Sequence, residues 1–219
     1  MQKTAAEIYN FSMDHQAIFD KAFANPDYTA ITTPDSAVNR VIRNAYDVDQ
    51  PFTYTRTQLW DMEVKKAHHP DKYIRHVVRP GSLRTFNHNR DGSFEYFIRV
   101  TDQRMWKDLS IYTTVIEDVR LDHDTHKAVF LGLAEMKTPE GEVITAGKGQ
   151  PLFHVEHCAV GPEEEPVNTW RIVHLTQGAD ESLTEVFDKI GNTTYLRLFN
   201  EVYIREDLGK VLTRKDAQN

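Results

Sequence analysis

Residues 152–176 read LFHVEHCAVGPEEEPVNTWRIVHLT, two apolar-rich extended runs joined by an acidic turn from Gly161 to Asn168. Strand-forming residues dominate both arms, and Gly-Pro at the turn stops either arm from continuing as a helix. The segment therefore reads as an antiparallel hairpin. Side chains alternate along a strand, so His154 and Glu156 face one way and His157 the other. The long turn does not set the register, and a one-residue slip reverses every facing. In one register His157 and His174 share an interior with Val155, Trp170 and Ile172. In the other, His154, Glu156 and His174 come together as an acid/base group.

Working back from this hairpin, further β-rich runs lie at Ser93 to Val100, Ser110 to Leu121, Lys127 to Met136 and Glu142 to Ala146. The turns Arg90-Asp91-Gly92, Asp122 to Thr125 and Pro139-Glu140-Gly141 separate them, which predicts an antiparallel meander. Working forward, Ser182 and Glu185 form a capping-box pattern before the stripe Leu183, Val186, Phe187 and Ile190. Leu198, Phe199, Val202 and Tyr203 extend the stripe past Gly191, so a long C-terminal helix is expected, with a kink or break at that glycine.

At the other end, Thr4 and Glu7 start a helical pattern running to Asn25-Pro26, with Ile8, Phe11, Ile18, Phe19, Ala22 and Phe23 as its apolar residues. Thr33-Pro34 begins a second, containing Ala37, Val38, Val41, Ile42 and Ala45. From Phe52 to Val64 the alternation of Tyr54, Arg56, Gln58, Trp60, Met62 and Val64 predicts a first strand, and Asp71 to Val78 a short helix. The fold class is α+β: N-terminal helices, an antiparallel sheet, and a closing C-terminal helix. The divisions are a helical extension at 1–51, the sheet-and-helix domain at 52–208 and a tail at 209–219.

Composition narrows the function. The chain has 219 residues, 40% hydrophobic and 11% aromatic, enough for a sizeable core. Its formal charge of −7 offers no general attraction to a phosphate backbone, so nucleic acid is not an expected partner. The sequence lacks a long apolar run, and its one cysteine, Cys158, cannot form an internal disulfide. A soluble cytoplasmic protein without a membrane partner is expected. No Rossmann or phosphate-loop glycine pattern follows a strand, and Gly147-Lys148-Gly149-Gln150 lacks the rest of a phosphate loop, so no nucleotide cofactor is expected.

The catalytic candidates are His154, Glu156 and His174: imidazole exchanges protons near neutral pH and a carboxylate can orient or accept them. Two histidines and a carboxylate also form a familiar zinc set, although the spacing is not that of the helical H-E-x-x-H motif, and no metal ligand is assigned. Trp106, Phe153, His157, Trp170 and Phe187 are the expected substrate contacts. His68-His69 reads as loop, because adjacent side chains on extended chain point apart. Asp122 to His126 reads as a solvated turn, and Cys158 as a structural thiol.

The order of a strand, a short helix, antiparallel strands and a final helix over residues 52–208 resembles the START/Bet v 1-type helix-grip superfamily, in which a curved sheet wraps a long C-terminal helix. The resemblance rests on layout and carries over no catalytic residue. It implies a cavity between Leu183, Phe187, Ile190 and the sheet, and an apolar small-molecule ligand, aromatic or polyketide-like. Some members are cyclases, hydrolases or lyases. Zinc-dependent carbon–carbon hydrolases of this fold also have an N-terminal helical extension, but they draw metal ligands from the C-terminal helix. Here no histidine lies beyond His174, so that ligand set does not transfer.

The rival layout is the NTF2/SnoaL-like cone, home to dehydratases and isomerases; its strands usually end the domain, whereas a long helical pattern follows Gln177 here. The leading expectation is a lyase, hydrolase or cyclase. A noncatalytic carrier or sensor, or an interaction module, is the alternative, and homo-oligomerisation is left open.

Overall fold

The computed structural model describes residues 13–189 and 196–215. In chain order the elements are α1 (His15–Phe23), β1 (Thr29–Thr32), β2 (Ser36–Ala37), α2 (Val38–Ala45), β3 (Tyr46–Val48), α3 (Arg56–His68) and α4 (Pro70–Tyr73). Then follow β4 (Arg84–Asp91), β5 (Phe94–Met105), β6 (Asp108–Asp122), β7 (Lys127–Gly132), β8 (Glu135–Lys137), β9 (Val143–Thr145), β10 (Phe153–Val160), β11 (Val167–His174), α5 (Glu181–Asp188) and β12 (Leu212–Arg214). The main sheet is antiparallel, in the order β1-β11-β10-β7-β6-β5-β4, with β2 also paired to β11. The meander is as expected, except that β8 and β9 leave it as a separate hairpin.

The expected α+β class holds, with a large antiparallel sheet and helices on both of its faces. Phe97, Val119, Phe130 and Ala159 line the inner face and pack against Leu59, Trp60 and Met62 of α3 and against Phe199, Tyr203 and Ile204. Further along this face Ile31, Val115, Phe153 and Ile172 meet Leu183 and Phe187 of α5. On the outer face α1 presses Phe19 and Ala22 against Val129, Leu131 and Val173. Burying a large apolar side chain in such a cluster stabilises the fold by about 1.5–3 kcal/mol.

The expected first strand is instead α3. Its start is a capping box: the Thr55 hydroxyl accepts from the Gln58 amide at 3.1 Å, and the Gln58 side chain accepts from the Thr55 amide at 3.0 Å. Its buried residues include Leu59, Met62, Glu63, Lys66 and Ala67, which is helical spacing with two charges inside the apolar face. Those charges hid the helical period and left only an apparent alternation.

The helix expected over Asp71 to Val78 shortens to α4, because Ile74 is already outside helical geometry and Val78 bridges to Gln103. The short strand β1, not anticipated, extends the sheet beyond β11. Of the two N-terminal helices, α1 and α2 contain the expected Ile18-to-Phe23 and Val38-to-Ala45 residues, while Thr4 and Glu7 lie outside the described residues. The closing helix is present as α5 and as a helical run at 196–207, wound as π-helix at Leu196–Asn200 and Tyr203–Asp207. Gly191 and Ile190 between them lie outside the described residues.

Candidate functional site

Between the inner sheet face, α5 and the 196–207 run lies a cavity of about 530 Å³. Its walls are largely aromatic and aliphatic, and one side carries Lys66, Arg99, Gln103, Glu117 and His157. The register of β10 and β11 decides this composition. Phe153 stands opposite His174, Val155 opposite Ile172 and His157 opposite Trp170, so all six face inward. This is the first of the two registers the sequence allowed.

Consequently His154, Glu156 and His174 do not converge. His154 and Glu156 are on the outer face beneath α1. His154 Nδ1 accepts from the Gly132 amide at 3.0 Å, and Glu156 accepts from Arg171 at 2.8 and 2.9 Å and from Gln16 at 2.8 Å. His174 is on the inner face, fully buried between the Phe153 and Phe187 rings. Burial pushes its pKa down to about 4. Trp106, Phe153, His157, Trp170 and Phe187 all lie on the cavity wall, with the Trp106 and Phe187 rings 4.8 Å apart.

The polar side of the cavity is built mainly by residues the sequence did not single out. Glu63 and Lys66, three apart on α3, are 0% and 3% exposed. Lys66 Nζ donates to Glu63 at 2.8 Å and lies 2.8 Å from His157 Nδ1, while Asn168 donates to Glu63 at 2.7 Å. The Trp170 indole N–H also points at His157 Nδ1. The same Nδ1 lies 2.9 Å from Glu63 Oε2, so the ammonium, the carboxylate and the indole all converge on one edge of the imidazole. Lys66 also lies 4.0 Å above the Phe199 ring, a cation–π contact.

Burial lowers the Lys66 pKa to about 8, with Glu63 opposing the shift, and burial and then Lys66 lower His157 to about 3. Burial alone would raise the Glu63 carboxyl, but Lys66 and His157, through charge and hydrogen bonds together, outweigh it and hold the group well below the usual carboxylate range. At neutral pH the site therefore holds a carboxylate, an ammonium and a neutral imidazole. Beside it, Arg99 Nε donates to Glu117 at 2.7 Å across β5 and β6, Gln103 donates to the same oxygen at 3.2 Å, and Arg99 donates to the Ala67 carbonyl at 2.9 Å. That last bond satisfies a carbonyl in the final turn of α3, which the helix itself leaves open.

Glu63 escaped notice because its segment reads as a strand, and Lys66 lies just beyond the Val64 end of that strand. Arg99 and Glu117 had a usable signal: both occupy the same strand parity as apolar core residues, Phe97 and Val119.

The fold and site define an α+β domain with an apolar cavity and one charged wall; among the described residues no helix is long and apolar enough to cross a membrane. No protein-family model matches the chain. No curated protein matches it either. Among solved structures, it is similar to the Zhui aromatase/cyclase from Streptomyces sp. R1128, with 10% identity, a TM-score of 0.45, and coverage of 81% of this chain and 94% of that one. It is also similar to the 18 kDa protein CC1736 from Caulobacter crescentus, with 14% identity, a TM-score of 0.46, and coverage of 83% and 96%.

Proposed function

We propose that this chain binds a largely apolar, carbonyl-bearing aromatic or polyketide-like molecule in the cavity and acts on it as a cyclase, lyase or hydrolase. The observation that carries this reading is Lys66, a buried ammonium on the charged wall of a largely apolar cavity, with a pKa of about 8. A ligand carbonyl oxygen placed against Lys66 accepts a hydrogen bond and is polarised, the role that preorganised donors play at a developing oxyanion. Glu117, on the same wall, takes a proton from the adjacent carbon; the C–H electron pair moves into the enolate, and its charge rests on the oxygen facing Lys66. Enolate formation opens aldol-type ring closure and dehydration. His157 contributes a neutral imidazole to the same wall. His154 and Glu156 take no part, being across the sheet.

The rival reading is a carrier, favoured by the mutual neutralisation of Glu63 with Lys66 and of Glu117 with Arg99. The test is a panel of aromatic and polyketide-like ketones, screened for binding by tryptophan fluorescence and for conversion by mass spectrometry. For an enzyme, kcat/KM falls as pH rises through about 8, because the ammonium is lost, and Lys66→Arg removes that alkaline limb. Lys66→Met abolishes conversion while ketones still bind. Ketones that bind and leave unchanged in mass would establish the carrier instead.

A further inference from the structure

Along β5, Phe97 separates Arg99, on the cavity wall, from Glu95 further down the same sheet face. The Glu95 side chain is 8% exposed, and three histidines from three other parts of the chain reach it. His68 Nε2 is 2.7 Å and His88 Nε2 2.6 Å from Oε1, and His123 Nε2 is 3.2 Å from Oε2. His68 is the last residue of α3, not a loop residue, and stacks on Phe97 at 4.6 Å. His88 sits in an irregularity of β4 between Phe86 and Asn89, next to Asn87 with φ of 53°. Two residues there oppose the single Phe97, a bulge of the kind that re-aims a side chain. His123 comes from the turn after β6.

We infer that His68, His88 and Glu95 are the ligands of a divalent transition-metal site of the zinc class, with His123 as a positioning residue. One ligand atom from each of the three lies within 4.8 Å of the others and Glu95 Oε1 is 2.7 and 2.6 Å from the two imidazole nitrogens, so small side-chain shifts would bring all three to the roughly 2.0–2.2 Å that a single ion requires. Two imidazoles and one carboxylate suit zinc or another first-row ion rather than calcium or magnesium, which prefer oxygen ligands throughout.

The surroundings are also those of a ligand set. The Trp60 indole N–H donates to His123 Nδ1 at 3.2 Å, so the His123 proton is on Nε2 and is donated to Glu95 Oε2. That chain fixes the carboxylate and leaves Oε1 turned to His68 and His88, the outer-sphere support typical of metal carboxylates. The same bond excludes His123 Nε2 as a neutral ligand. With three protein ligands and His88 more than half exposed, the fourth position opens to solvent. An ion here would tie the end of α3 to β4 and β5, independently of the cavity and of any reaction in it.

Tag-free protein, stripped with a chelator and dialysed, is titrated with zinc sulfate by calorimetry and with cobalt(II) by visible absorption. One zinc ion per chain is expected, together with ligand-field absorption from the cobalt form. His88→Ala and Glu95→Gln should abolish both signals. His123→Ala should weaken zinc binding about 10- to 100-fold. His69→Ala should leave binding unchanged. Because His88 is largely exposed, its metal-free variant should keep the wild-type circular dichroism and Tm, which separates lost ligation from lost folding. Absence of zinc binding, or wild-type binding by His88→Ala, overturns the proposal.

Discussion

On the inner face of the β10–β11 hairpin, His157 meets a buried lysine, a buried glutamate and a half-buried indole. One residue away, on the outer face, Glu156 meets an arginine that is one-third exposed. The residue types are similar and the consequences are opposite. In the outer pair Glu156 is buried too, but Arg171 can turn to solvent and rehydrate if that carboxylate is lost. The inner network has no such recourse, since each group was stripped of water on burial and depends on its neighbours for compensation.

The sharpest way to break this contrast is to remove Glu63. Glu63→Ala should destabilise the fold by about 3–5 kcal/mol in denaturant unfolding, because Lys66 is left as an uncompensated buried charge. Glu156→Ala should cost about 1–3 kcal/mol, since Arg171 can turn to solvent. Equal losses at the two positions would show that the faces do not differ in this way.

Acid should separate them next. His157 and His174 have folded pKa values of about 3 and about 4, below the ordinary 6.5. The unfolded chain takes up protons first, so their contribution is complete above pH 6.5 and is lost as pH falls toward 4 and then 3. His154, on the outer face, is shifted the same way by burial. A Tm series from pH 7 to 4 should flatten more for His174→Gln than for His154→Gln.

The smallest effect sharpens the comparison at its base. Thr55→Ala removes the cap of the helix that brings Glu63 and Lys66 to the inner face, and should cost about 1 kcal/mol by thermal or chemical denaturation.

That helix also marks where sequence reading succeeds and where it stops. Turn chemistry and alternation are local, so β5, β6, β7, β10, β11 and their meander order were readable within a few residues. The segment 52–64 was not, because the buried charge of Glu63 broke its apolar stripe and Lys66 fell beyond its end; the Thr55/Gln58 box, the same type of signal used at Ser182/Glu185, was available and would have corrected it. The inward placement of His157 with Trp170 stood as one of two registers, and only the pairing of distant strands selects between them. Glu95 and its histidines were the least legible: His68, His88 and His123 share no sequence spacing, and a bulge in β4 with a turn after β6 brings two of them together.

The β1 strand carries a consequence for how the chain is made. Thr29 pairs with His174, its partner about 145 residues later in the chain, so β1 has no strand to pair with until β11 has been made. At roughly 5–20 residues per second of synthesis, the first strand waits about 7–29 s for its neighbour. During that interval β1 is a bare, pairing-competent segment, and after any loss of the N-terminal region β11 becomes one permanently.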